Sequence, residues 1–242
     1  MSADELPGVP SLGDAIRGDL AEMAKMKGTP FPSVGGAIDI LTLPGTWAVI
    51  LFRLASYCHH HHLRPLSRLG YFMNIVLFSA ELHPAAIIQP GLVVPHPVGV
   101  AFGGGCRAGA RVHIFRCAGM GGAGNPKRPG QPVLGDDVWL MDSAKVLGPV
   151  TVGDRCILGA NAIVADDVPP DMFVYGMRKS DHWRPLDEMG LGERAERAEG
   201  YGMGGRLAAA EREEVSEPLV MEPLTGAATN GHGPPATNGG TG

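Results

Sequence analysis

The stretch VVPHPVGV, residues 93 to 100, mounts one histidine between two prolines inside an otherwise aliphatic run. Imidazole titrates nearest neutrality, so His96 is suited to take a proton from a hydroxyl and hand it on, given a carboxylate to fix its tautomer. Taken alone, a histidine in such a run also reads as a surface residue. The remaining groups able to do chemistry are scattered. His83 sits in LHPA and reads as a packing residue, His113 reads as a surface residue, and the run His59 to His62 reads as the exposed end of a helix instead of a metal site. Cys58, Cys106, Cys117 and Cys156 form no CxxC pair, which predicts reduced thiols, with Cys156 in the core. No metal is assigned.

Two kinds of segment must position these groups. Residues 11 to 80 read as a helical N-terminal unit: Leu12, Ile16, Leu20 and Met23 recur at helical spacing, and TWAVILFRLASYCHHHH and LRPLSRLGYFMNIVLF continue the pattern. Breaks at Gly28 to Gly36, at Pro44-Gly45 and at Pro65 predict three or four helices. From Leu134 the chain divides into six hexads, LGDDVW, LMDSAK, VLGPVT, VGDRCI, LGANAI and VADDVP, each opening on Leu or Val. The same period runs upstream from Leu82 as LHPAAI, IQPGLV, VPHPVG, VAFGGG, CRAGAR and VHIFRC, with Cys106 a weak opening residue. Neither a helix nor an alternating strand has period six. A prism-shaped parallel β-solenoid does: three hexads make a coil of about 18 residues, and stacking buries the aliphatic ladder. The class is therefore α+β, a helical unit followed by a solenoid over 81 to 180, with GGAGNPKRPGQP inside an excursion loop over 121 to 132. Residues 187 to 242 read as a mostly disordered tail with a helix around 205 to 215. Three histidines spaced as His83, His96 and His113 do not match the inter-subunit zinc arrangement of solenoid hydratases.

Bulk properties exclude several classes. The 242 residues carry a net charge of −5 and no basic stripe, so a nucleic-acid partner is not expected. TWAVILF and NIVLF are too short to span a bilayer, and MSADELPGVPSLGD has no leader pattern, which predicts a cytoplasmic protein without a membrane partner.

ELHPAAIIQPGLVVPHPVGVAFGG, CAGMGGAG and DSAKVLGPVTVGDRCILGANAIVADDVPPD, in this order, resemble the serine O-acetyltransferases among the hexapeptide-repeat acyltransferases, over roughly residues 12 to 180. The resemblance implies a left-handed parallel β-helix and acetyl-CoA as acyl donor. It also implies a homotrimer or dimer of trimers with each active site between neighbouring solenoids. It places the catalytic histidine on His96 and its orienting carboxylate on Glu81, a longer arm than the family's aspartate. Their separation is slightly under one coil, which allows contact across neighbouring coils. Gly121, Gly122, Ala144, Lys145, Ala162 and Arg178 fall where the family lines coenzyme A, although Met141 and Asp142 replace small residues. For the acceptor, Pro95 and Gln131 stand where the family holds serine's ammonium and carboxylate, with Arg128 nearby and Asp19 as a further carboxylate. An amino-acid zwitterion lacking partners for its charges is poorly held. The expectation is an O-acyltransferase for a small hydroxylated acceptor: serine or, better matched to these changes, a related amino acid, sugar or biosynthetic intermediate. The alternative from another class is a catalytically silent solenoid acting as an assembly partner.

Overall fold

The computed structural model describes residues 8 to 123 and 129 to 176, together with the backbone of 183 to 185. Four helices come first: α1 (Leu12–Lys27), α2 (Val34–Leu41), α3 (Pro44–His60) and α4 (Arg64–Phe78). Each boundary has a local cause. The Ser11 hydroxyl accepts from the Asp14 amide to start α1, and Gly28 stops it at φ 68°. Ser33 caps α2, while prolines occupy the first turns of α3 and α4. On α4, a Cβ at Gly70 would lie 2.9 Å from the Ala55 methyl, so the helix docks closely on α3. Asn74 Nδ2 donates to the Ala48 carbonyl across the same interface. No single helix among the described residues is long and apolar enough to cross a membrane. The pair α2 and α3 passes only when joined, and it is bent by 85°.

Short strands then build three sheets. One holds β1 (Glu81–Leu82), β3 (Ala101–Phe102), β6 (Gly119–Gly121), β9 (Lys145–Leu147) and β12 (Ile163–Val164). A second holds β2 (Ile87–Ile88), β4 (Arg107–Ala108), β7 (Val133–Leu134) and β10 (Thr151–Val152). The third holds β5 (His113–Ile114), β8 (Trp139–Leu140), β11 (Ile157–Leu158) and β13 (Met172–Val174), closed by the antiparallel β14 (Trp183–Pro185). All other pairings are parallel, and the chain visits the three sheets in rotation.

Each circuit places two residues per side inward. Leu134, Leu140, Val146, Val152, Leu158 and Val164 are buried, and so are the residues four later: Val138, Ala144, Val150, Cys156, Ala162 and Val168. Each fully buried Leu or Val stabilises the stack by about 1.5 to 3 kcal/mol relative to exposure. Corners need left-handed backbone. Arg111, Asp137, Arg155 and Asp171 take φ of 55°, 57°, 54° and 63° at one edge, where Arg111 pairs with Asp137 and Arg155 with Asp171, both at 2.6 Å.

The repeat upstream of Met120 differs from its expected phase. On the first sheet Glu81 pairs with Ala101, Ala101 with Gly119, Gly119 with Lys145 and Lys145 with Ile163, steps of 20, 18, 26 and 18 residues. The step of 26 contains the excursion loop. The step of 20 contains two extra residues within VPHPVGVA, residues 94 to 101. Past this insertion the larger inward residues are Phe102, Ala108, Ile114 and Met120. Cys106, Val112 and Ala118 fill the smaller place. The expected hexads opening at Val100, Cys106 and Val112 are therefore displaced by two. Both inward places accept aliphatic residues, which conceals the slip.

Candidate active site

The two residues added to the repeat surround His96, which makes its position deliberate in structural terms. Val94 and Val100 stay fully buried, while Val98 and Gly99 are exposed and His96 is half-buried at the corner between them. The flanks are held at both ends. Val93 bridges to His113, Gly99 donates to the Ser79 carbonyl, and Cys117 donates to the Val98 carbonyl. Below, α3 begins so close that a Cβ at Gly45 would overlap the Val94 carbonyl oxygen.

The strongest restraint on this segment is ionic. Asp19, on α1, accepts from Arg53 Nε at 2.7 Å and Nη2 at 2.9 Å, and from the Gly91 and Leu92 amides at 2.9 and 2.8 Å. Arg53 also donates to the Ile88 and Gln89 carbonyls. Burial raises the pKa of the Asp19 carboxyl, against the pull of Arg53 and of the two amides. Both side chains are sealed from solvent, which corrects the expectation that Asp19 meets a substrate. Its oxygens are committed to the fold. A lone arginine in the apolar run TWAVILFRLASY was the signal for this clamp, because a guanidinium there needs a buried partner.

Glu81 begins β1 on the neighbouring circuit, with its amide donating to the Val100 carbonyl. Its side chain is exposed, and Oε1 accepts from Tyr71 Oη at 2.8 Å. Among the described residues His96 has no hydrogen-bond partner, so the anticipated bond between the two is not formed. Burial, then the Glu81 hydrogen bond and charge, push the Tyr71 phenol up to about 12, so it stays protonated and donates. The Tyr71 ring lies 5.5 Å from that of His83. His83 Nδ1 accepts from the Ala85 amide at 3.1 Å, which leaves the neutral ring's proton on Nε2. Burial and the nearby His59 lower the pKa of His83. Tyr71 was not singled out from the sequence; it occupies an apolar helix where an aromatic residue reads as packing.

The other predicted positions divide. Gly121 has open space where a side chain would stand, and Gly122 faces the Gln131 amide. Gln131 Oε1 accepts from Cys106 Sγ at 3.5 Å. Lys145 Nζ donates to the Cys117 carbonyl, so a short path of contacts links it through Cys117 to Val98 beside His96. Ala144 and Ala162, expected beside coenzyme A, are inward rungs with no exposure, so their methyl groups pack the prism. Pro95 is half-buried beside His96. Arg128 and Arg178, like the tail over 187 to 242, lie outside the described residues. His113 corrects the surface reading: it is 1% exposed, stacked 4.0 Å from Trp139 and 3.4 Å from Glu22. Burial pushes the Cys106 and Cys156 thiols up to about 11, which removes them as nucleophiles. Among the described residues no group of three or more His, Cys, Asp or Glu is placed to hold a metal ion.

Comparison with known proteins agrees with this architecture. Residues 131 to 166 match the model of the bacterial transferase hexapeptide family (six repeats). The chain is 32% identical over 164 residues to the serine acetyltransferase of Mycobacterium tuberculosis, covering 67% of this chain and 70% of that protein. The crystal structure of Entamoeba histolytica serine acetyltransferase 1 in complex with L-cysteine superposes with a TM-score of 0.59 at 28% identity, over 69% of this chain. The chain spans 64% of that structure's length. A serine acetyltransferase in complex with CoA superposes with a TM-score of 0.60 at 26% identity, over 69% of this chain and 68% of that one. The chain belongs to the serine acetyltransferase family of hexapeptide-repeat transferases, acetyl-CoA-dependent O-acetyltransferases.

Proposed function

We propose that this chain transfers an acetyl group from acetyl-CoA to the hydroxyl of a small acceptor. The scaffold is a left-handed parallel β-helix that assembles as a homotrimer or a dimer of trimers. One observation carries the reading: a half-buried histidine is mounted on the two residues that interrupt the six-residue period, beside a strand that opens with a carboxylate. His96 takes the acceptor's hydroxyl proton as its oxygen attacks the thioester carbon. The C–S bond then breaks, and the proton passes to the CoA sulfur. Glu81 orients the imidazole and stabilises the cation that forms. Gly121, Gly122 and Lys145 line the donor, and Arg178 meets its phosphates. The relative solved with CoA supports this donor.

For the acceptor, Pro95 and Gln131 offer no charge where serine's ammonium and carboxylate need partners, and Asp19 is spent in its clamp. Arg128, preceded by Lys127, supplies a cation nearby in sequence. The acceptor is therefore a related amino acid, a sugar or a biosynthetic intermediate in preference to free serine. Release of CoA thiol from acetyl-CoA, measured against a panel of serine, other hydroxylated amino acids and sugars, tests this. Turnover with one acceptor, lost at least about 100-fold in His96→Ala, is expected from the contribution of a general base. No turnover with any acceptor, and donor binding unmoved by His96→Ala, would instead identify a silent assembly partner.

A further inference from the structure

We propose that Tyr71 is a positioning residue for the acyl transfer, holding Glu81 so that its second oxygen is free for His96. The inference rests on the functional reading above and concerns a residue outside the repeat. Three features of this chain carry it. First, glutamate has one more methylene than the aspartate expected at this place, so its carboxylate sweeps a wider volume. An orienting group that wanders loses the geometry on which general-base catalysis depends. Second, the Tyr71 hydroxyl fixes Oε1 at 2.8 Å. A carboxylate carries two oxygens, and one neutral donor on Oε1 orients the group while leaving Oε2 for the imidazole. Third, Tyr71 is itself rigidly placed. Asn74, one turn further along α4, is fully buried and bonded to the Ala48 carbonyl, and Gly70 lies against Ala55. Immediately after α4, Ser79 turns left-handed at φ 52° and the chain enters β1 at Glu81. The segment that carries the tyrosine and the strand that carries the glutamate are thus joined by a tight corner. His83 packs against the phenol ring, 5.5 Å between centroids, with its own tautomer fixed by the Ala85 amide.

The burial and charge that keep the phenol protonated support the same assignment, because a tyrosinate would repel Glu81. A purely structural tyrosine predicts a different pattern of kinetics from a positioning one. The test is a double-mutant cycle with acetyl-CoA and the acceptor that the panel turns over, on variants whose far-ultraviolet circular dichroism matches wild type. Tyr71→Phe is expected to lower kcat about tenfold, a fraction of what a general base supplies, with KM for acetyl-CoA within about twofold. Glu81→Asp shortens the arm beyond the reach of Tyr71, so Tyr71→Phe on that background should change kcat by less than about twofold. An equal loss on both backgrounds, or none on either, overturns the proposal. A spectroscopic pH titration adds a readout independent of turnover. Wild type should contain a tyrosine ionising near 12 that is absent from Tyr71→Phe and moves down in Glu81→Gln. A tyrosine titration unchanged by Glu81→Gln also overturns the proposal. Activity abolished by His96→Ala but unmoved by Tyr71→Phe sinks this inference alone. Activity unmoved by His96→Ala sinks the functional reading and this one with it.

Discussion

Replacing Asp19 with alanine removes the carboxylate that ties α1, α3 and the approach to His96 together. Four hydrogen bonds end on its two oxygens, at 2.7 to 2.9 Å. In Asp19→Ala the Arg53 guanidinium, with its side chain 4% exposed, keeps two backbone carbonyls but no counter-charge. Breaking a buried ion pair from one side costs about 3 to 5 kcal/mol. The Gly91 and Leu92 amides lose their acceptor as well, at about 1 to 3 kcal/mol each where water does not reach them. These costs overlap, since one group causes all of them, so a net loss of about 4 to 6 kcal/mol is expected. Against a typical domain stability of about 5 to 15 kcal/mol, that is a large fraction. Urea unfolding followed by circular dichroism measures the total. Hydrogen exchange at the Gly91 and Leu92 amides locates it, because both should lose protection before the upper circuits do. The paired replacement Asp19→Leu with Arg53→Met, which removes both charges and keeps volume, should recover most of the loss. A single-variant loss below about 1 kcal/mol, with the two amides still protected, would refute this account of the clamp.

Two further outcomes follow from the packing. His113 is held neutral by burial below its ordinary 6.5, with Glu22, Asp137 and Lys25 as the charged groups around it. The unfolded chain takes up a proton there as the pH falls through about 6.5 more readily than the folded chain does, so stability drops with falling pH by at most about 1.4 kcal/mol per pH unit. Between pH 6.5 and 5, thermal melts of wild type should fall more steeply than those of His113→Phe, which keeps a ring on Trp139; parallel slopes would contradict the buried neutral state. Leu140, fully buried between the paired Ile114 and Leu158, should lose about 2 to 5 kcal/mol as Leu140→Ala in urea unfolding, and a loss under about 1 kcal/mol would contradict its inward place.

The period of six was legible because each hexad from Leu134 repeats one inward aliphatic residue, and every one of those six residues is buried. The two-residue slip at VPHPVGVA was not, since valine and cysteine satisfy either inward place. Helices in the first part were legible from apolar spacing and from Pro and Gly breaks. Their tertiary bonds were not. Asp19 read as a carboxylate available to an acceptor, and only its four hydrogen bonds, to residues up to 73 positions away, show it to be internal. His113 read as a surface residue because strand alternation does not reveal that α1 covers that face with Glu22. His96 and Glu81 were nominated by the sequence, whereas Tyr71 needed the turn at Ser79 to bring α4 beside β1.

The bulge that carries His96 also separates two kinds of change. Val94 and Val100 keep their inward places on either side of it, so the aliphatic ladder runs past it unbroken. Within it the freedom to change is unequal: Pro97 is buried and Gly99 is left-handed at φ 73° with its amide on the Ser79 carbonyl, whereas Pro95 is half-buried and Val98 exposed. Selection of new acceptors is therefore best confined to Pro95 and Val98, with His96 kept as the base and Pro97 and Gly99 kept for the fold.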